Sequence, residues 1–253
     1  MIGKSDLSNQ RFRLSLATRL PFEEQLHGGF ALHTQPQIIP QRSKHNPVPL
    51  SFAQERLWFL NQFNPDGSLY NNPAAVRLAG ALSVVTLERC INEIIRRHEV
   101  LRTAFTSVDG HPAQVITPTM RVTLPEIDLR ELPLADREVK ALQLSNSEAQ
   151  RAFDLARGPL VRVVLLRLNA EEHALLLNMH HIVSDRWSFD VFMRELAALY
   201  EAYSTGETSP LPELPIQYAD YAVWQREFAQ GEVFEKHLSY WKQQLSGAPA
   251  VVQ

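Results

Sequence analysis

One cysteine, Cys90, in 253 residues leaves the chain unable to form an intramolecular disulfide. It falls in a helical-looking segment and reads as a small buried residue rather than a nucleophile. Basic residues are not in excess: 25 Lys and Arg stand against 28 Asp and Glu, for a net charge of −3. That balance gives no ground for general nucleic-acid binding. Apolar runs are short. None reaches the roughly 18 residues of a membrane span, and the first residues lack the apolar core of about 7–15 residues that marks a secretory signal. A cytoplasmic location, away from membranes, is the expectation. His98-Glu99-Val100-Leu101-Arg102 puts arginine where a zinc-protease helix needs its second histidine, so no zinc site follows. No internal repeat is evident. What remains is ordinary for a globular protein, 45% hydrophobic and 21% charged, and long enough for one large domain or two small ones.

The first 48 residues read as a leader or linker, with a short helix over Ser5–Leu20 and an extended stretch from Gln35 to Pro49, rich in proline, glutamine and basic residues. Acidic Glu23 and Glu24 argue against a membrane-surface helix there. Beyond the leader, helices and strands alternate. A short strand is expected over Ala75–Leu78, then a helix over Val84–Arg97 whose Val84, Leu87, Ile91, Ile94 and Ile95 form one stripe. Strands follow at Leu101–Val108 and Ala113–Ile116, joined by a turn at Asp109-Gly110. An extended segment at Val122–Ile127 and a surface helix over Leu134–Phe153 come next. Strands over Leu160–Leu168 and His173–Met179 complete an α+β pattern: a substantial mixed β-sheet flanked by helices.

His180-His181-Ile182-Val183-Ser184-Asp185 is the stretch richest in chemistry. The almost entirely apolar stretch Ala174–Met179 predicts a buried strand ending at the histidines, and Val191, Phe192, Leu196, Leu199 and Tyr203 predict a helix over Trp187–Tyr203. A polar loop held between two rigid elements is a good mount for a site. Adjacent strand residues point to opposite faces, so His180 and His181 do not readily share a metal ion. Asp185 or Ser184 equally suits a cap on the following helix.

Four motifs in order resemble the condensation domains of non-ribosomal peptide synthetases. Pro49-Leu50-Ser51-Phe52-Ala53-Gln54-Glu55-Arg56-Leu57-Trp58-Phe59-Leu60 resembles the opening motif, and Arg97-His98-Glu99-Val100-Leu101-Arg102-Thr103-Ala104-Phe105 the second. Met179-His180-His181-Ile182-Val183-Ser184-Asp185-Arg186-Trp187-Ser188 resembles the third, and Tyr218-Ala219-Asp220-Tyr221-Ala222-Val223-Trp224 the fourth. The resemblance implies a chloramphenicol-acetyltransferase-like fold, with 49–253 forming the N-terminal lobe and the second lobe absent. It implies amide-bond formation between an acyl or peptidyl thioester and an aminoacyl acceptor, each presented on the phosphopantetheine of a carrier domain. No bound cofactor and no metal are implied. The expected partners are donor and acceptor carriers and the second lobe, in cis or in trans.

By the same resemblance His181 is the catalytic histidine, acting as a base or by positioning the amine. His180 and Asp185 support the loop, and Asp185 is expected to pair with Arg97 or, next, Arg102. Ser184, Arg186, Trp187 and Ser188 are site-adjacent. Arg186 stands where the family usually has glycine and is expected to meet solvent or a local ion pair. Trp187, Trp58, Tyr221 and Trp224 read as packing anchors. The opening motif is closer to domains joining an L-donor to an L-acceptor. His27-Gly28-Gly29-Phe30-Ala31-Leu32 resembles a carrier attachment motif, but Ala31 replaces the serine it needs. Two other readings stand beside this one: an acyl-CoA-dependent acyltransferase, alone or as an oligomer, and a noncatalytic docking or scaffold remnant.

Overall fold

The computed structural model describes residues 38–43 and 48–248, and the architecture is that of the compact unit beginning at Ile39. The helix expected over Ser5–Leu20 and the carrier-like stretch at His27–Leu32 lie outside the described residues. In chain order the elements are β1 (Val48–Pro49), α1 (Phe52–Phe63), β2 (Asn71–Ala79), α2 (Val84–Arg97), a 3-10 turn (Glu99–Arg102), β3 (Thr103–Val108), β4 (His111–Ile116) and β5 (Glu126–Asp128). Then come α3 (Leu134–Gln150), β6 (Val161–Arg167), β7 (Glu172–His180), α4 (Arg186–Ser204), α5 (Tyr218–Phe228) and α6 (Glu232–Gln244).

The expected α+β pattern is present, but its strands divide between two sheets. One has the order β2-β7-β6-β5 and is mixed, since only β5–β6 is parallel; the other is the antiparallel set β1-β4-β3. The division follows from where backbone groups find partners. The segment expected to be extended over Val122–Ile127 gives the Val122 N–H to Asn92 Oδ1 (2.9 Å) and the Leu124 N–H to Glu88 Oε2 (2.8 Å). It is tied to α2 by side chains, and pairs as a strand only at Glu126–Asp128.

β7 has cores on both faces, which explains its apolar run from Ala174 to Met179, interrupted only by Asn178. Leu175, Leu177 and Met179 join Leu87, Ile91, Ile94 and Ile95 of α2 and Phe192, Leu196 and Leu199 of α4 in the larger core. Ala174 and Leu176 face the smaller core with Leu166, Leu168 and Ala141. Cys90 is fully buried in the larger core, and burial pushes its thiol up to about 12.

α1, read in the sequence only as a motif, starts with a capping box. Ser51 Oγ accepts from the Gln54 N–H (3.2 Å), while the Ser51 N–H donates to Gln54 Oε1 (3.0 Å). Buried Gln54 also donates to Ile182 O (3.5 Å), tying α1 to the turn after the histidines.

The expected linker over Gln35–Pro49 is seated in part. Val48 and Pro49 pair with Gln114 and Ala113. Arg42 spans Asp220 (2.6 Å) and Glu99 (2.7 Å), and Gln41 donates to Pro215 O (2.7 Å). Two largely enclosed carboxylates thus fix a residue that composition assigned to an extended linker.

Arg97 is 3% exposed and lies between α2 and α4, where Nε is 3.2 Å from Glu195 Oε2 and Nη1 donates to Pro212 O (2.8 Å). His98 Nε2 donates to the same carboxylate oxygen at 3.0 Å. Burial pushes the Glu195 carboxyl up, but the bonds from Arg97 and His98 outweigh it and hold the pKa below the usual range. Glu195→Ala leaves Arg97 enclosed without its counter-charge and should cost roughly 3 kcal/mol in urea unfolding. The carboxylate contributes its stability above the pH at which an unfolded glutamate ionises, and that contribution disappears as pH falls through the lower folded value. Glu195→Gln should therefore lose less stability than the unaltered chain over that acid window. For Cys90, a thiol-reactive chromophore should find no thiol in the native protein and one equivalent after unfolding.

Candidate functional site

The strand-to-helix junction forms where expected, with β7 ending at His180 and α4 starting at Arg186. Strand alternation sends the two histidines to opposite sides. His180 is 3% exposed; its Nδ1 accepts from the Ile182 N–H (3.1 Å), and its ring meets the Phe153 ring edge-on at 6.1 Å. Burial, then the neighbouring His181 charge, lowers its pKa to about 4. This ring is a neutral wedge with one nitrogen already used.

His181 is exposed and is held at both ends. Its backbone N–H donates to Tyr70 O (2.7 Å), and its Nδ1 is 2.6 Å from Ser184 O. A bare ring nitrogen and a carbonyl oxygen would repel at that distance, so in the neutral ring the proton belongs on Nδ1 and the lone pair on Nε2. Ser184 is buried, and its Oγ donates to His180 O at 3.1 Å. Asn72 of β2, which no sequence motif singled out, brings its side-chain amide within 3.2 Å of His181 Nδ1 and of Ser184 O.

Asp185 caps α4. Its Oδ1 accepts from the Ser188 N–H (2.7 Å) and hydroxyl (2.6 Å), while the Asp185 N–H donates to Ser188 Oγ (3.2 Å). These bonds, the Ser188 hydroxyl foremost, hold its carboxyl below the usual range, with the His181 charge adding to them. The expected ion pair of Asp185 with Arg97 or Arg102 is therefore corrected. Arg97 belongs to Glu195, almost three turns further along α4. Arg102 is 3.6 Å from Glu99 and donates to Thr117 O at 2.5 Å.

Arg186 faces solvent. Trp187 was expected to anchor packing but is 75% exposed, because the second position of α4 points away from the core that Phe189 and Phe192 fill. Trp58 does pack against the larger core. Tyr221 and Trp224 belong to an aromatic ladder along α5, from Tyr218 (5.5 Å) through Trp224 (5.9 Å) to Phe228 (5.3 Å).

The arrangement offers one accessible imidazole with its proton locked on the protein side and a proton-accepting nitrogen on the other. Among the described residues, no group of three His, Cys, Asp or Glu is placed to hold a metal ion, and no helix is long and apolar enough to cross a membrane.

Known proteins share both sequence and fold with this chain. The sequence is 52% identical over 223 residues to one of the linear gramicidin synthase proteins of Brevibacillus parabrevis, covering 88% of this chain and 3% of that protein. It is 41% identical over 247 residues to phosphinothricin tripeptide synthetase PhsC of Streptomyces viridochromogenes, covering 98% of this chain and 23% of the relative. Among solved structures, the starter condensation domain of rhizomide synthetase RzmA superposes with a TM-score of 0.74 at 21% identity, covering 81% of this chain and 49% of its own. The X-domain in complex with OxyB from teicoplanin biosynthesis gives 0.69 at 29% identity, covering 87% and 48%. The chain thus spans a small part of these synthetases and about half of the solved domains. The family model for the condensation domain matches residues 44–253, and with that match across most of its length the chain belongs to the condensation-domain family.

Proposed function

We propose that this chain is the histidine-bearing lobe of a condensation domain that forms amide bonds in a non-ribosomal peptide synthetase. The observation that carries the reading is the His181 ring, exposed at the end of β7 with Nε2 free to accept a proton. One carrier presents an acyl or peptidyl thioester and the other an aminoacyl thioester. The acceptor amine attacks the thioester carbon, a C–N bond forms and the C–S bond breaks. His181 Nε2 takes the proton from the amine and passes it to the departing sulfur, so the donor phosphopantetheine leaves as a thiol. Nδ1–H stays on Ser184 O throughout and holds the ring in plane as its charge changes.

His180 and Asp185 are given supporting roles. His180 fills the space beneath the loop, and Asp185 fixes the start of α4. Ser184 supplies the acceptor for Nδ1, Ser188 completes the cap, and Arg186 and Trp187 stand on the solvent side of the junction.

The test is amide formation between two loaded carriers, with this chain supplied with the second lobe of a condensation domain. His181→Ala should lower the rate by about 10²–10⁴-fold and leave the melting temperature unchanged, because the side chain is exposed. A rate close to that of the unaltered protein would overturn the proposal, and turnover with free acyl-CoA in place of a loaded carrier would transfer it to an acyltransferase. Asp185→Ala should cost about 0.5–2 kcal/mol of stability through the lost cap, whereas Asp185→Asn, which caps nearly as well, should cost much less. Urea unfolding of the two variants separates a capping role from a charge-pairing one, in which both would lose stability alike.

A further inference from the structure

We infer that Asn72 is a positioning residue for His181: its side-chain amide fixes the Ser184 peptide whose carbonyl keeps the His181 proton on Nδ1. The inference rests on the proposed role of the same imidazole and extends it to a residue on a neighbouring strand.

Asn72 lies on β2, the edge strand of the mixed sheet, directly opposite Met179 of β7. From there Nδ2 reaches the far end of the histidine loop, 3.2 Å from Ser184 O and 3.3 Å from Ser184 Oγ. Both atoms can accept. The Ser184 hydroxyl spends its own proton on His180 O, which leaves its lone pairs toward Asn72. Two amide hydrogens therefore meet two acceptors of one residue.

The Ser184 carbonyl has two lone pairs and takes one donor from Asn72 and one from His181 Nδ1, the latter at 2.6 Å. Asn72 Nδ2 and His181 Nδ1, 3.2 Å apart, are then neighbours on a shared oxygen rather than partners of each other. The opposite tautomer, with Nδ1 accepting from Asn72, would set a lone pair against the Ser184 carbonyl and pull the amide off Ser184. Backbone pairing of β2 with β7 makes the amide a fixed strut. Through it, an edge strand sets the orientation of a loop peptide, and the peptide sets the tautomer.

Without the strut, Ser184 keeps its hydroxyl bond to His180 O and the bond from His181 Nδ1, but water can compete both for its carbonyl and for Nδ1. The ring then samples both tautomers, and the fraction with a free Nε2 lone pair falls.

The experiment is ring-nitrogen NMR of the chain carrying ¹⁵N-labelled histidine, in mildly alkaline buffer and without carriers. The His181 signals are assigned by their loss in His181→Gln. The unaltered protein should show Nδ1 protonated and Nε2 bare. In Asn72→Leu both resonances should move toward the averaged positions of a mixed ring, while the melting temperature stays close to that of the unaltered chain. Should Asn72→Leu fail to fold, Asn72→Val, a residue suited to strands, carries the same test. A proton found on Nε2 in the unaltered protein, or a ring pattern unchanged in the folded variant, overturns the inference. Because the readout needs no turnover, its failure leaves the amide-transfer assay standing, and failure of that assay leaves this result standing.

Discussion

β7 runs between two cores, and its alternation leaves no freedom in how the histidines emerge. Leu175, Leu177 and Met179 are committed to the core under α2 and α4, while Ala174 and Leu176 are committed to the core on the α3 side. A slip of one residue would reverse both sets at once, exchanging the large core for the small one. His180 is therefore held among Tyr70 and Phe153, and His181 is delivered to the open side. The chemistry of the junction is thus set by packing several residues upstream of it.

The loop between β7 and α4 converts that placement into a defined proton geometry. Ser184 accepts from His181, donates to His180 O and is braced by Asn72, while Asp185 turns to the N-terminus of α4. The polar side chains of this short loop have local partners, in keeping with the high cost of leaving buried donors and acceptors unmet. Here the loop is as firmly specified as the strand and helix beside it.

Much of this was legible in the residues. The apolar stripe of α2 predicted Val84–Arg97 and the helix has those bounds, because a continuous buried face leaves a clear period. β7 and α4 were legible for the same reason, and Asp185 was already a fitting cap by residue type. The partner of Arg97 was not legible. Spacing along the chain does not say which of several carboxylates a buried arginine meets, and Glu195 is chosen only when α2 packs on α4. α1 gave a motif without a clear stripe, since Phe52, Phe59 and Phe63 are exposed. Asn72 left no signal because its role exists only across a strand pair. The split into two sheets was hidden too, since Asn92 and Glu88 replace strand partners with side chains. The residue pattern marked the His180–Asp185 stretch and the resemblance named His181 within it, whereas for Asp185 the resemblance suggested an ion pair and the local geometry supplied a cap.

Trp187 gives the junction an optical handle. Its indole stands in water one turn from the histidine loop, while Trp58 is set against the larger core. An indole in water emits at longer wavelength than one enclosed by apolar groups, and it is open to collisional quenchers. Of the four tryptophans in the chain, this one would report the arrival of any surface over the imidazole by a blue shift and by protection from quenching. The same exposure that disqualifies it as a packing anchor makes it a gauge of whether the imidazole is covered.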